Sequence, residues 1–305
     1  MPGPDENEAT APGNQVKPRG WRVQQAEIAS RFLPKDSLSM KGRVECMSLS
    51  EITQQVLRLV ETRSGIPVDV EPDPSLPGST LAKVVVARGT LNLHRVSYRP
   101  DGSLAPDYLI CKQAGYILRL FDTPPEKRFD FAGSPEGLAA VERIVNAHPV
   151  AKMVSPEALP QFCQMLYDGL MSHLRSIPVG MRVDRWLATE FPALAESQKA
   201  SVLREIQDAV ATLAQQHRQY SPPKIYDATQ AISAAFAAFW ADRLNQPQLS
   251  LPFKAAGYLQ AGQELGSLWQ STPDAAENDR TLIDGWAKKL EIAGWYRWLP
   301  YAAPK

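Results

Sequence analysis

The chain has 305 residues, of which 44% are apolar, and its 33 basic residues balance its 33 acidic residues. A chain of this length and composition can bury a sizeable core as one large domain or two modest ones. Its formal net charge of zero provides no global field to attract nucleic acid, an acidic substrate or a membrane surface, which leaves such binding to local patches.

The three cysteines, Cys46, Cys111 and Cys163, are odd in number and widely spaced. That usage fits a reducing compartment and argues against a disulfide framework or a cysteine-rich zinc site. Residues 1–20 lack the apolar stretch of a signal peptide, and no run of 18 apolar residues occurs elsewhere. We therefore expect a cytoplasmic protein that does not associate with membranes.

Residues 1–20 are polar and rich in proline and glycine, which predicts a disordered tail. The first clear element begins near Ser48, which is followed three residues later by Glu51 in a capping-box pattern. An apolar stripe with helical spacing follows and predicts a helix. The stripe consists of Ile52, Val56, Leu59 and Val60.

Two strands are predicted next, at Leu81–Ala87 and Thr90–Tyr98, because both segments are rich in β-branched residues or alternate in polarity. A turn at Arg99–Ser103 leads into a helix at Asp107–Phe121. The sequence thus predicts a small sheet and its helices in an α+β subdomain over residues 21–133.

After Pro124 and Pro125, which cannot continue a helix, the chain is helical almost to its end. Residues 134–305 are predicted to form a helical subdomain, and the aromatic segment 295–301 is expected to dock on it as a C-terminal clamp. The predicted fold is α+β and mostly helical. The predicted helices are Leu138–His148, Pro156–Arg175, Arg182–Glu190, Ala195–Tyr220, Thr229–Asn245, Phe253–Gln270 and Thr281–Gly294.

The Asp107–Phe121 helix has two distinct faces at about 100° per residue. Lys112, Tyr116 and Arg119 share the polar face, and Gln113 lies at its edge. The opposite face is apolar and is expected to be buried. It carries Ile110, Ala114, Ile117, Leu118 and Phe121.

The segment Lys112-Gln113-Ala114-Gly115-Tyr116 occupies the positions that His-Glu-x-x-His takes in a zinc peptidase. The spacing would direct residues 112 and 116 at one metal ion, but their chemistry does not suit zinc. Lysine is cationic at neutral pH, tyrosine is a neutral phenol, and a glutamine amide does not accept a proton from water.

With its flanking elements, this segment resembles a zincin-type, gluzincin-like metallopeptidase over roughly residues 80–215. The strand at residues 91–98 stands where the edge strand of such peptidases precedes the metal-binding helix. Asp184 looks like the residue in the place of the acidic third ligand. The resemblance implies a cleft, and the replaced ligands and base imply that the site has no catalytic residues, no metal and no cofactor.

Two structural expectations follow from the resemblance. Lys112 should stand where the metal cation stood and pair with Asp184, because a buried charge requires a partner. If the protein binds a partner protein, the strand that contains His94, Arg95 and Tyr98 is the expected place. The predicted function is that of an inactive, peptidase-like module that binds, scaffolds or regulates another protein.

Other interpretations remain open at this stage. The polar stripe of the helix is also what any surface amphipathic helix carries. An enzyme with relocated chemistry would use Asp184, Tyr116 or a histidine brought in by folding. A nucleic-acid-associated subunit would use the basic cluster Arg175, Arg182 and Arg185 around Trp186, although acidic residues interleave with it.

Overall fold

The computed structural model describes residues 49–76, 80–100 and 106–304 of the chain. The fold is α+β and mostly helical, as the sequence predicts. Among the described residues, no helix combines the length and the apolar composition that crossing a bilayer requires. The strands are β1 (Val68–Pro72), β2 (Ala82–Val85), β3 (His94–Tyr98), β4 (Phe129–Gly133) and β5 (Tyr296–Pro300). The helices are α1 (Glu51–Ser64), α2 (Pro106–Asp122), α3 (Pro135–Asn146), α4 (Leu159–Glu190), α5 (Ala195–Ala211), α6 (Gln215–Tyr220), α7 (Pro223–Arg243), α8 (Leu251–Ala255), α9 (Leu259–Ser271) and α10 (Asp279–Lys289).

The first three strands form a sheet in the order β1-β3-β2. Strand β3 runs parallel to β1 and antiparallel to β2, so β2 is an edge strand. The sequence pattern did not predict β1, because acidic residues and prolines interleave with its valines. Two of those acidic residues, Asp69 and Glu71, lie beside Arg95 on the exposed face of the sheet.

Helix α1 begins one residue after Ser50, whose side chain accepts a hydrogen bond from the backbone N–H of Thr53. The predicted cap, Ser48, lies outside the described residues. Asp107, in the first turn of α2, accepts hydrogen bonds from the N–H of Ser50 and from the hydroxyl of Thr53. The carboxylate thereby joins the first turns of two packed helices.

Helix α4 is continuous over Leu159–Glu190, although the sequence was interpreted as two separate helices around Pro178. A proline inside a helix removes one backbone hydrogen bond. Here the residues from Pro178 to Asp184 are all buried, and the indole N–H of Trp269 donates to the carbonyl of Pro178 at 3.0 Å. Packing on all sides of this segment maintains the helix through the proline.

Two apolar cores lie within the compact unit Ser48–Lys305. One core fills the space between α3 and the later helices, and the other lies between the sheet, α1, α2 and the C-terminal part of α4. The predicted subdomain boundary at residues 133 and 134 falls between β4 and α3. The predicted tail, residues 1–20, lies outside the described residues.

The aromatic C-terminal segment forms β5, which pairs with β4 in an antiparallel two-stranded sheet. The ring of Tyr296 stacks on Phe131 with centroids 4.5 Å apart. Asp284 accepts hydrogen bonds from the Tyr296 hydroxyl at 2.6 Å and from the Trp298 indole at 2.8 Å. The C-terminal end of the described chain is therefore fixed to the segment that follows α2.

Helices α2 and α4 approach so closely at Gly115 that a Cβ there would overlap the Val183 side chain. We expect Gly115→Ala to lower the free energy of unfolding by about 1–3 kcal/mol, because the crossing has no space for the methyl group. Urea unfolding measures the change. Gly169→Ala is the matched control in α4, where the new methyl group meets no other atom within 4 Å. The control is expected to stabilise the protein by about 0.5–1 kcal/mol through helix propensity. Equal effects at both sites would contradict the close crossing.

Candidate functional site: a cavity between β2 and helix α2

A cavity of about 660 Å³ lies beside the polar face of α2. Residues of β2 form one side of it, and residues of α4, α5 and α7 line it as well. The segments around β4, β5 and the start of α10 also contribute lining residues. A volume of this size is within the range of sites that hold a small molecule or several side chains of a peptide.

The lining of the cavity follows directly from the two faces of α2. Lys112, Gln113, Tyr116 and Arg119 all line the cavity. The opposite face is buried in the core below the sheet, where Ile110, Ala114 and Ile117 are fully inaccessible to solvent. The helical period thus correctly predicts which side chains face the cavity.

Lys112 and Asp184 form an ion pair, as the sequence analysis predicts. The Lys112 ammonium lies 3.3 Å from Asp184 Oδ2 and 3.7 Å from Glu205 Oε2. The hydroxyl of Tyr108 donates to the other carboxylate oxygen of Asp184 at 2.7 Å. The side chain of Asp184 is 0% exposed and that of Lys112 is 12% exposed. The carboxylate is therefore closed off from the cavity by the groups that bind it.

The surroundings of Lys112 keep it cationic. Burial alone would lower the pKa of Lys112, but the charges of Asp184 and Glu205 raise it well above its ordinary value. Burial raises the pKa of Asp184, while Lys112 and the Tyr108 hydroxyl act against that rise. An ammonium held in the charged form is neither a metal ligand nor an amine nucleophile.

Tyr116 is fixed in place by its own hydrogen bond. Its hydroxyl donates to the backbone carbonyl of Ser176 in α4 at 2.9 Å. A Cβ at Gly180 would lie 2.5 Å from this hydroxyl, so the glycine makes room for the contact. Burial raises the pKa of Tyr116, which keeps the phenol protonated. Residues 112 and 116 are therefore a cation and a neutral phenol.

Within the described part of the chain, the edge strand β2 presents backbone groups without partners at the cavity. The N–H of Arg99 in the segment after β3 donates to the carbonyl of Leu81, and the strand register places Lys83 opposite Ser97. In an antiparallel pair the backbone groups of alternate residues point to opposite sides. The N–H and C=O groups of Ala82 and Val84 therefore point away from β3, and both residues line the cavity.

The prediction that His94, Arg95 and Tyr98 lie on an exposed edge strand is wrong. They belong to β3, the central strand, and His94 and Tyr98 are buried there. The Nδ1 atom of His94 accepts a hydrogen bond from the backbone N–H of Ala87 at 3.1 Å. Only Arg95 is exposed, beside the acidic residues of β1. The accessible edge of this sheet at the cavity is β2.

The predicted basic cluster does not form one surface. Arg182 is 1% exposed and donates to Asp279 at 2.8 Å, a carboxylate that also binds Arg119. Arg185 pairs with Asp274 in the loop before α10 and lies over the Trp269 ring. The two arginines therefore hold this loop and the start of α10 against α4, and the aspartates neutralise their charges.

Arg175, the third member of that cluster, lines the cavity with an exposed side chain, and so does His173, two residues earlier in α4. Sequence reasoning did not identify His173, Glu205 or Asp208 as members of the site. Glu205 and Asp208 come from α5, and no spacing rule links that helix to α2.

Most cationic side chains of the lining have acidic partners within 4 Å among the described residues. Arg128 instead donates to the backbone carbonyls of Phe121 and Thr123. Within the part of the chain that the structure describes, Arg175 and Asp208 make no hydrogen bond or ion pair. The paired cations are Lys83, Arg88, Lys112, Arg119, Lys127 and Arg280.

In the described part of the chain, no three histidine, cysteine, aspartate or glutamate side chains converge in a geometry that would hold a metal ion. Comparison of the sequence with models of protein families, with curated proteins and with solved structures finds no match in any of the three. The interpretation of the site therefore depends on its own geometry and chemistry.

Proposed function

We propose that the protein binds an extended segment of another protein along β2, as a peptidase-like module that does not cut its ligand. The observation that carries the proposal is the position of β2. Its outward backbone groups, at Ala82 and Val84, have no partner among the described residues and border the same cavity as the polar face of α2. An exposed strand edge binds an extended chain by adding it as a further strand.

The two edges of the sheet differ in a way that supports this choice. Strand β1 is bounded by Pro67 and ends at Pro72, and it carries Asp69 and Glu71 on its exposed face. Prolines and charges are common devices that prevent strand addition at a sheet edge. Strand β2 contains no proline and adjoins a concave surface rather than a flat one.

The chemistry of the α2 face supports binding without hydrolysis. Zinc hydrolysis requires neutral imidazole or anionic ligands and a base that accepts the proton of the bound water. Lys112, Tyr116 and Gln113 supply none of these groups. Asp184 is fully buried and already bound by Lys112 and Tyr108, so no observation favours an enzyme in which Asp184 acts on a substrate. The arginines of the predicted basic cluster do not form one surface, so no observation favours nucleic-acid binding.

A selection of random twelve-residue peptides displayed on phage, carried out on the purified full chain, tests the proposal. We expect selected peptides to bind in fluorescence anisotropy and to remain intact by mass spectrometry. Val84→Pro should weaken their binding about tenfold or more, because the variant removes a free N–H and its ring blocks the incoming strand. The hydrogen bonds between β2 and β3 do not use this N–H, so the sheet is retained.

Val84→Thr is the matched control, since it keeps the N–H and the branched shape, and its binding should change less than threefold. Circular dichroism and thermal unfolding check that both variants fold. If Val84→Pro does not fold, Ala82→Pro is used in its place. Cleavage of the bound peptides would overturn the inactive assignment. Peptides that bind equally well to the proline and threonine variants would rule out strand addition.

A further inference from the structure

The cavity lining carries one exposed charge of each sign that has no partner among the described residues. Arg175 in α4 and Asp208 in α5 both line the cavity, and neither has a hydrogen bond or ion pair in the described part of the chain. The other charged side chains of the lining bind charged groups of the protein or, in the case of Arg128, backbone carbonyls. Two opposite charges without internal partners are therefore available to a ligand.

Contacts along α2 place both charges beside its polar face. Glu205, one turn before Asp208, pairs with Lys112. Arg175 lies next to Ser176, whose carbonyl accepts the hydrogen bond of Tyr116, one turn further along α2. Both charges therefore adjoin the part of the cavity that Lys112 and Tyr116 line.

The surroundings of Arg175 also include the segment that follows β2. Arg88 pairs with Asp130 at 2.9 Å, and both residues line the cavity. Burial raises the pKa of Asp130, and the charges of Arg88 and Arg175 both act against that rise. One carboxylate thus lies near two guanidinium groups, and Arg88 is the one that pairs with it.

We infer that the extended segment bound along β2 carries an acidic side chain that Arg175 binds and a basic side chain that Asp208 binds. The inference rests on the proposed function and specifies its ligand. A guanidinium and a carboxylate form charge-assisted hydrogen bonds in directed geometry. The two charges together therefore select a segment that carries one residue of each sign.

The test selects peptides in parallel on the wild-type protein, on Arg175→Glu and on Asp208→Lys. Peptides selected on the wild type should share one acidic and one basic position. Changing that acidic residue to lysine should weaken binding to the wild type by about tenfold to a hundredfold, as expected for a hydrogen bond to a charged group. The same lysine peptide should bind Arg175→Glu more tightly than the original peptide does. Asp208→Lys should invert the preference at the basic position only.

The selected peptides are also synthesised as C-terminal amides, which should bind as well as the free acids. Loss of binding on amidation would assign the carboxylate to the chain terminus and overturn the side-chain inference. Peptides that bind wild type, Arg175→Glu and Asp208→Lys alike, yet lose affinity for Val84→Pro, would overturn the pairing with Arg175 and Asp208 and leave strand addition standing. Failure to select any binding peptide would remove the proposed function and this inference together. Both charge variants lie at exposed positions, and thermal unfolding checks their folding, with Arg175→Gln and Asp208→Asn as milder substitutes.

Discussion

Replacing Lys112 with methionine is expected to lower the free energy of unfolding by about 3–5 kcal/mol at pH 7, because it leaves a buried carboxylate without its cation. Asp184 is fully inaccessible to solvent, and after the change the Tyr108 hydroxyl is the one described side chain that still binds it. Asp184→Asn should cost less, since Glu205 still lies 3.7 Å from the ammonium of Lys112. Urea unfolding monitored by circular dichroism measures both variants.

The double variant Lys112→Met/Asp184→Asn removes both buried charges and is expected to lose far less stability than the sum of the single changes. Arg63→Met is the control, because it breaks the exposed Arg63–Asp122 pair, whose side chains are 58% and 42% accessible. The control should change stability by less than about 1 kcal/mol. Additive single effects would show that the buried pair is not coupled.

The pH dependence of Lys112→Met has a defined sign. Burial raises the pKa of Asp184, and removal of Lys112 takes away the largest effect that opposes this rise. The folded variant then takes up a proton at a higher pH than the unfolded chain does. Its stability relative to the wild type should therefore recover as the pH falls toward about 4, the ordinary pKa of an aspartate.

His94 is expected to make the stability of the wild-type protein fall by roughly 3 kcal/mol between about pH 6.5 and pH 4. Burial lowers its pKa to about 4, and the imidazole is fully inaccessible in the central strand β3. Its Nδ1 atom accepts the Ala87 N–H, which requires that nitrogen to be unprotonated. As the pH falls, the unfolded chain binds a proton that the folded chain excludes until about pH 4.

His94→Asn separates this contribution from that of the carboxylates, which titrate in an overlapping range. The asparagine oxygen can accept the same N–H but does not titrate, so the variant should lose less stability than the wild type over this pH interval. The variant is expected to be less stable at pH 7, because its side chain is smaller, and the quantity to compare is the slope of unfolding free energy with pH. Identical slopes would contradict a buried neutral imidazole.

Helical periodicity was the most informative part of the sequence for the site. It correctly predicted that Lys112, Tyr116 and Arg119 share one face of α2, because side-chain direction in a helix follows from residue spacing alone. The resemblance to a zinc peptidase then suggested Asp184 as the partner of Lys112, and the 3.3 Å ion pair confirms that pairing. The peptidase relationship itself stays a prediction.

Local sequence patterns could not predict the order of the strands in the sheet. Alternation over His94–Tyr98 predicts a strand, but whether that strand is central or at an edge depends on β1, which pairs with it from a segment some distance earlier in the chain. The prolines and acidic residues of β1 obscured this partner. We therefore propose partner binding at β2 and not at β3, because the outer backbone groups of β2 have no neighbouring strand in the described sheet.

The arginines show a second limit of sequence reasoning. Arg175, Arg182 and Arg185 look alike in the sequence, yet the partner of Arg182, Asp279, is 97 residues away. Long-range pairing neutralises Arg182 and Arg185, whereas Arg175 remains exposed in the cavity.

By itself, the sequence determined the mostly helical α+β class, the two faces of α2 and the absence of zinc ligands at positions 112 and 116, because these depend on residue type and short-range spacing. Only the tertiary structure decided which strand edge is open, which charges are neutralised and where Arg175 and Asp208 lie. Those properties arise from contacts between segments far apart in the chain, and no local pattern encodes them.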